Sequence, residues 1–177
     1  EYAEAARQVK RELPHARFIL AGGLPTNPDA ISEEALAAWV EEGIIEYLGH
    51  VREPWRVLAQ SQVFVLPSYR EGTPRTSLEA MAVGRAIITT DVPGCRETVV
   101  PGENGLLVPS GSASALAEAM ITLALNPELV REMGRRGREL CERKFEVRAV
   151  AEATRDQVLM PGEQPNQSKA SGSPANA

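Results

Sequence analysis

The sequence predicts an α/β protein, a Rossmann-like parallel sheet with helices on both of its faces. Two observations lead there. Helical and extended patterns alternate along the whole chain, the order that generates parallel strands joined by crossover helices. The extended segments are short, unbroken apolar runs instead of polar–apolar alternations, and that is the pattern of strands covered from both sides.

The elements follow in order. Tyr2, Ala5, Ala6 and Val9 recur at helical spacing, and the helix stops near Leu13-Pro14, because proline disfavours helical backbone in the residue before it. Phe18 to Ala21 is a short strand ending in the Gly22-Gly23 turn. Ser32 is an N-cap for a helix over Glu33 to Glu42. Ile44 to Leu48 reads as a strand stopped by Gly49, and Pro54 to Ala59 as a short helix. Val63-Phe64-Val65-Leu66 is a strand bounded by Pro67. Arg75 to Val83 is helical, and Gly84 suits a left-handed C-terminal cap. Ala86 to Thr90 is a strand rich in β-branched residues. Arg96 to Val99 reads as one helical turn and Leu106 to Val108 as a strand. Ser112 or Ser114 caps a helix to about Leu125, and Pro127 opens another to about Lys144. A last helix covers Val147 to Leu159. Residues 1–160 form one domain, and the Pro-, Gly-, Ser- and Asn-rich stretch 161–177 lacks core formers and is expected to be disordered.

Bulk properties narrow the function. The 177 residues are 43% hydrophobic and 24% charged, with 19 basic and 24 acidic side chains and a net charge of −5, enough for one well-cored domain. Nucleic-acid binders carry a basic footprint, which this balance argues against. The basic cluster from Arg131 to Lys144 is interleaved with Glu128, Glu132, Glu139 and Glu142, the pattern of a solvated helix face. Cys95 and Cys141 are far apart and there are two histidines, so no protein-built metal site is expected; the cysteine usage fits a reduced, cytoplasmic protein. The longest apolar run, Ala113 to Leu125, contains Glu118 and is too short to span a bilayer. Any membrane association is expected to be peripheral. The chain opens directly into an amphipathic pattern, as a piece of a longer protein would.

Ligands of open α/β sheets sit beyond the carboxyl ends of the strands. The most unusual strand-to-helix connection here is Pro67-Ser68-Tyr69-Arg70-Glu71-Gly72-Thr73-Pro74. Thr73 at the cap and Pro74 at the first helical position make a strong helix start. The amides of Arg75 and Thr76 then point out of a helix N-terminus, whose partial positive charge seats a diphosphate. Glu71 precedes this seat and Glu79 lies along the helix beyond it. Each carboxylate can accept hydrogen bonds from two adjacent hydroxyls, as sugar recognition requires. Two acids also repel a diphosphate, a cost for Arg75 and Arg70 to offset. A plainer reading fits the same residues: Arg75 and Glu79, four apart, can be a surface pair of about 0.3–0.5 kcal/mol, and Glu71 a solvated loop residue.

Ser68-x-x-Glu71-Gly72-x-Pro74 followed by Leu78-Glu79-Ala80-Met81-Ala82-x-Gly84 resembles the E-x7-E signature of the family 4 retaining glycosyltransferases. Ala86 to Glu97, with Asp91-Val92-Pro93-Gly94, is similar to the next family segment. Gly102-x-x-Gly105-x-Leu107-Val108-Pro109 is similar to the one after it. The similarity covers about Phe18 to Phe145, and the wording Arg70 to Arg75 looks like bacterial transferases that build surface polysaccharides or lipid-linked oligosaccharides, some from UDP-sugars.

The resemblance implies the donor-binding half of a two-domain GT-B enzyme. In it Glu71 contacts hydroxyls of the transferred sugar and Glu79 the ribose, while the backbone of Gly72, Thr73, Pro74, Arg75 and Thr76 lines sugar and diphosphate. The loop Gly49-His50-Val51 meets the base edge. Neither a cofactor nor a metal is implied; the nucleotide sugar, UDP-linked, is the substrate, and the acceptor is a lipid-linked or polysaccharide chain. Family members carry an earlier strand and loop with an Arg and a Lys for the diphosphate, and an N-terminal acceptor-binding domain. This chain starts after both, so alone it is expected to be inactive; the full-length protein is expected in the cytoplasm or peripheral on the inner membrane face. Three rivals remain: a non-catalytic interaction module that kept the fold, a nucleotide-sugar epimerase, and a phosphorylase. The last wants a cofactor-bearing lysine, and Lys10, Lys144 and Lys169 are not suitably placed. Smaller features take ordinary roles: Gly22-Gly23 as a turn, Asp91 as a cap over Pro93-Gly94, Glu97 as a helix-start residue, Trp39 and Trp55 as core or interdomain packing.

Overall fold

The computed structural model describes residues 1–24 and 31–145. The expected helix over Val147 to Leu159 and the stretch 161–177 lie outside the described residues. In chain order the elements are α1 (Tyr2–Glu12), β1 (Ile19–Ala21), α2 (Glu33–Glu41), β2 (Glu46–Gly49), α3 (Pro54–Gln60), β3 (Val63–Leu66), α4 (Arg75–Ala82), β4 (Ala86–Thr90), β5 (Gly105–Val108), α5 (Ala113–Ala124) and α6 (Pro127–Lys144).

Every strand pairing is parallel, as the alternation of elements predicts. The strands group into two ladders, β1-β2 and β3-β4-β5. In the larger one Val63 stands opposite Ala86 and Leu66 opposite Thr89, while Ile87 faces Gly105 and Thr90 faces Val108. β4 is central in this ladder and wholly buried. Its side chains divide by the two-residue period of a strand. Ala86 and Ile88, with Val63, Val65, Leu106 and Val108, join the core beneath α1 and α5. Ile87, with Phe64 and Leu107, joins Met81 of α4 and Leu140 of α6 on the opposite face. That two-sided burial is why these strands read as continuous apolar runs.

Helix ends follow local chemistry. The Ser32 and Ser112 hydroxyls accept from the amides of Ala35 (3.1 Å) and Ala115 (3.2 Å), so of the two serines proposed for α5, Ser112 is the cap. α2 and α4 both close through a glycine in the left-handed region, Gly43 at φ +69° and Gly84 at φ +72°. In each the glycine amide and the next amide bond back to the last turn: Gly43 to Val40 O and Ile44 to Trp39 O, Gly84 to Met81 O and Arg85 to Ala80 O. This paired closure is the Schellman arrangement. It also corrects one boundary, because Ile44 and Ile45 belong to the closure of α2 and the strand begins at Glu46.

Three further expectations are corrected. The cap of α4 is Pro74, with an extended ψ of 116°, and not Thr73. Pro74 is buried while Thr73 is exposed, and burying the ring places the first helical residue at Arg75. The segment Arg96 to Val99 lies in a run of hydrogen-bonded turns, with Arg96 N bonding Val92 O, Glu97 N bonding Gly94 O and Thr98 N bonding Cys95 O, and is not part of a regular helix. Trp55 is 50% exposed, with the Arg56 guanidinium 4.9 Å from its ring centre, so of the two roles expected for it core packing is excluded. The mixed-charge face of α6 is as expected: Arg135 pairs with Glu132 and Glu139, Arg136 with Glu132, and Arg138 with Glu142.

Candidate functional site

The connection from β3 to α4 carries the predicted residues. After Leu66 the chain passes through Pro67 and Ser68, turns at Glu71-Gly72 and enters α4 at Arg75. Because the cap is a proline, no side chain caps the helix. The amides of Arg75 and Thr76 donate to no protein acceptor among the described residues. Pro74 O takes the next two amides, from Ser77 (3.0 Å) and Leu78 (3.3 Å). The corrected cap therefore keeps the feature for which the site was singled out: two backbone donors at the positive end of a helix.

Glu71 is half-buried, and the Ser68 hydroxyl donates to its Oε1 at 2.7 Å. Glu79 is 31% exposed and accepts from Arg75 Nε at 3.1 Å, one turn earlier on the same helix. The Arg75 side chain is 91% exposed, so this pair contributes little to stability. It does settle geometry, placing Arg75 and Glu79 on one face of α4 as their spacing requires. Gly72, Thr73 and Thr76 are exposed at the surface.

Sequence reasoning missed the loop that follows β4. Gly94 has φ +83°, and a side chain there would overlap the carbonyl oxygens of Gly72 and Glu71. The loop after β4 therefore packs backbone to backbone against the loop after β3. Thr90 Oγ1 donates to Ser68 O and lies 3.9 Å from the buried Cys95 Sγ. The available signal was a pair of threonines closing an otherwise apolar buried strand, since a buried hydroxyl needs a partner. Asp91 does not cap Pro93-Gly94. Its carboxylate pairs with Arg96 and holds that guanidinium's pKa above its usual value. Glu97 meets Lys144 of α6 at 3.5 Å instead of starting a helix.

The loop Gly49-His50-Val51 sits at the carboxyl end of β2. Gly49 is left-handed at φ +64°, and its carbonyl accepts from Gly22 N at 2.8 Å. Tyr47 donates to Gly22 O at 2.8 Å, so Gly22 has a structural role in joining the two strand ends. His50 is exposed and Val51 half-buried. No bond joins this loop to the Glu71–Glu79 segment among the described residues. Nor do three His, Cys, Asp or Glu side chains gather there as a metal site. No helix of the described residues is long and apolar enough to cross a membrane.

Parallel strands, and a connection after β3 that runs past Glu71 into a helix whose N-terminus no side chain caps, define an α/β protein with its most distinctive loop at the carboxyl ends of its strands. Comparison with known proteins makes this specific. Residues 2–126 match the family described as glycosyl transferases group 1, and the chain belongs to that family. It is 37% identical over 131 residues to the N,N'-diacetylbacillosaminyl-diphospho-undecaprenol alpha-1,3-N-acetylgalactosaminyltransferase of Campylobacter jejuni, covering 74% of this chain and 33% of that one. It is 35% identical over 132 residues to the capsular polysaccharide biosynthesis glycosyltransferase CapM of Staphylococcus aureus, covering 74% and 34%. Among solved structures, the pneumococcal O-GlcNAc transferase GtfA, in complex with UDP and GlcNAc, superposes with a TM-score of 0.72 at 26% identity, covering 89% of this chain and 32% of that one. The fold is that of the GT-B glycosyltransferases. The chain spans about a third of the length of these curated relatives.

Proposed function

We propose that this chain is the donor-binding half of a retaining glycosyltransferase that uses a UDP-sugar. The transferred group is a hexose or N-acetylhexosamine, and the acceptor a lipid-linked oligosaccharide or polysaccharide. The observation that carries the reading is the uncapped start of α4 between Glu71 and Glu79. The free amides of Arg75 and Thr76 suit the diphosphate, Glu79 accepts from the ribose hydroxyls, and Glu71 accepts from hydroxyls of the sugar. Gly72, Thr73 and Pro74 supply the backbone floor, and Gly49, His50 and Val51 the base edge. UDP in the solved complex of the GtfA relative supports the nucleotide, and the names of the relatives from Campylobacter and Staphylococcus support the acceptor class.

The chemistry this arrangement serves is departure of the nucleoside diphosphate. Charge builds on the leaving phosphate as the sugar–oxygen bond breaks, and backbone donors already aimed there stabilise it without reorganisation. No nucleophile is assigned to Glu71; it orients the sugar. Arg75 is engaged by Glu79, so the diphosphate needs further cations. An Arg and a Lys on an upstream strand, together with an acceptor-binding domain, complete the enzyme in this reading, which places the full-length protein in the cytoplasm or against the inner membrane face. The 177-residue chain binds donor weakly and transfers nothing by itself.

Titration of the chain with UDP, followed by amide NMR, tests the reading. Shifts should concentrate at Gly72 to Glu79. Glu79→Ala should weaken binding at least about tenfold, the scale of a lost hydrogen bond to a charged group. Unmoved resonances at the start of α4 would count against a donor site and in favour of an interaction module.

A further inference from the structure

We propose that Ser68 is a positioning residue for Glu71, and that the loop after β4 braces it through Thr90 and Gly94. The inference rests on the donor-site reading of Glu71 and adds how that side chain is held.

Glu71 sits in a turn between strand and helix, where a free glutamate samples many rotamers. Fixing it costs side-chain entropy, which a bound sugar would otherwise have to overcome. Among the described residues one side chain restrains its carboxylate directionally, the Ser68 hydroxyl at 2.7 Å from Oε1. That length is typical of an O–H bonded to a charged oxygen. Among the described residues Oε2 has no hydrogen-bond partner, and in the donor-site reading it accepts from a ligand hydroxyl.

Ser68 is itself fixed from behind. Its carbonyl accepts the hydroxyl of Thr90, and Thr90 is 1% exposed at the end of the fully buried β4. A buried hydroxyl that lost this acceptor would pay the cost of an unsatisfied polar group. So β4, wholly buried and paired on both sides, holds the serine in place. Gly94 closes the other side, with its Cα against the carbonyls of Glu71 and Gly72. The turn is thus bounded by main chain on one side and tied by two hydroxyls on the other. The Glu71 carboxylate is set before any sugar arrives, and such preorganisation raises affinity by lowering the ordering cost.

Two measurements on the 177-residue chain test this. Without nucleotide, side-chain scalar couplings should give Glu71 a single rotamer in the wild type, averaged rotamers in Ser68→Ala, and restored order in Ser68→Thr. Thr90→Val, which keeps the volume of the buried side chain, should average them in part. With nucleotide, affinities are compared for UDP and for UDP-glucose, UDP-N-acetylglucosamine and UDP-N-acetylgalactosamine. Ser68→Ala should leave UDP affinity unchanged and reduce the preference for the best sugar nucleotide over UDP by about tenfold, one hydrogen bond to a charged group. A Glu71 already averaged in the wild type, or a sugar preference that survives Ser68→Ala, overturns the proposal. Absence of any UDP binding by the wild type would overturn the donor reading instead, and the couplings would still show whether Ser68 fixes the carboxylate.

Discussion

Gly94 makes the most demanding contact in the site, because its φ of +83° disfavours a side chain and the closeness of the Gly72 carbonyl leaves no room for one. Gly94→Ala should lose at least about 1–2 kcal/mol from the left-handed backbone alone. The overlap with two carbonyls should also displace the Glu71 turn, visible as amide shifts at Gly72 and a lower melting temperature. Tyr2 offers a pH-dependent test. Burial raises its hydroxyl from 10.0 to about 12, where it donates to Ile19 O at 3.3 Å and meets Phe18 edge-on. A buried neutral phenol contributes fully below pH 10, and the contribution is lost as pH rises from 10 towards 12. Alkaline titration should therefore show tyrosine ionisation coinciding with loss of α1 helicity, and Tyr2→Phe should remove part of that dependence. At this scale the placement of Glu71 before α4 and Glu79 within it was legible, since both follow from where the helix starts. Thr90 and Gly94 were not, because what they touch lies some twenty residues back along the chain and only the parallel register of β3 with β4 brings it near.

Helix ends were the best-read elements. Ser32, Ser112 and Gly84 perform the capping that their residue types announce, because a cap is a contact within four residues. Ser112→Ala should cost about 1 kcal/mol, measurable by urea unfolding. The start of α4 misled for an instructive reason: Thr-Pro fits a helix in two frames, and burial of the proline ring, a tertiary effect, chose the frame. Packing between α4 and α6 is set by glycine. A Cβ on Gly134 would overlap Gly84 O, whereas one on Gly137 would meet Asn104 Cβ at an ordinary 3.5 Å. Gly134→Ala should therefore destabilise by about 1–3 kcal/mol through overpacking. Gly137→Ala, gaining helix propensity, should leave stability unchanged or raise it by up to about 1 kcal/mol. The outer face of α6 behaves differently. Arg135 and Arg136 hold the Glu132 carboxylate down at about 2, so its pairs should persist in acid until pH falls through that value, as carboxylate NMR titration would show.

At the scale of the molecule, the parallel α/β class was legible from the order of elements and from apolar runs with no alternation. The division into two ladders was not, because which strands become neighbours depends on contacts that no local pattern encodes. Stability should be distributed accordingly. Amides of β4, paired on both sides and fully buried, should exchange with solvent only on global unfolding. Those of β1 and β2, in a two-stranded ladder, should exchange through smaller openings. Hydrogen exchange followed by NMR would rank them. One last consequence comes from Gly84, which both terminates α4 and lays its carbonyl against Gly134. The spacing of these two helices is dictated by main chain meeting main chain, with no side chain to trim in compensation. A suppressor screen begun from Gly134→Ala should therefore recover true revertants, and not second-site changes in neighbouring residues.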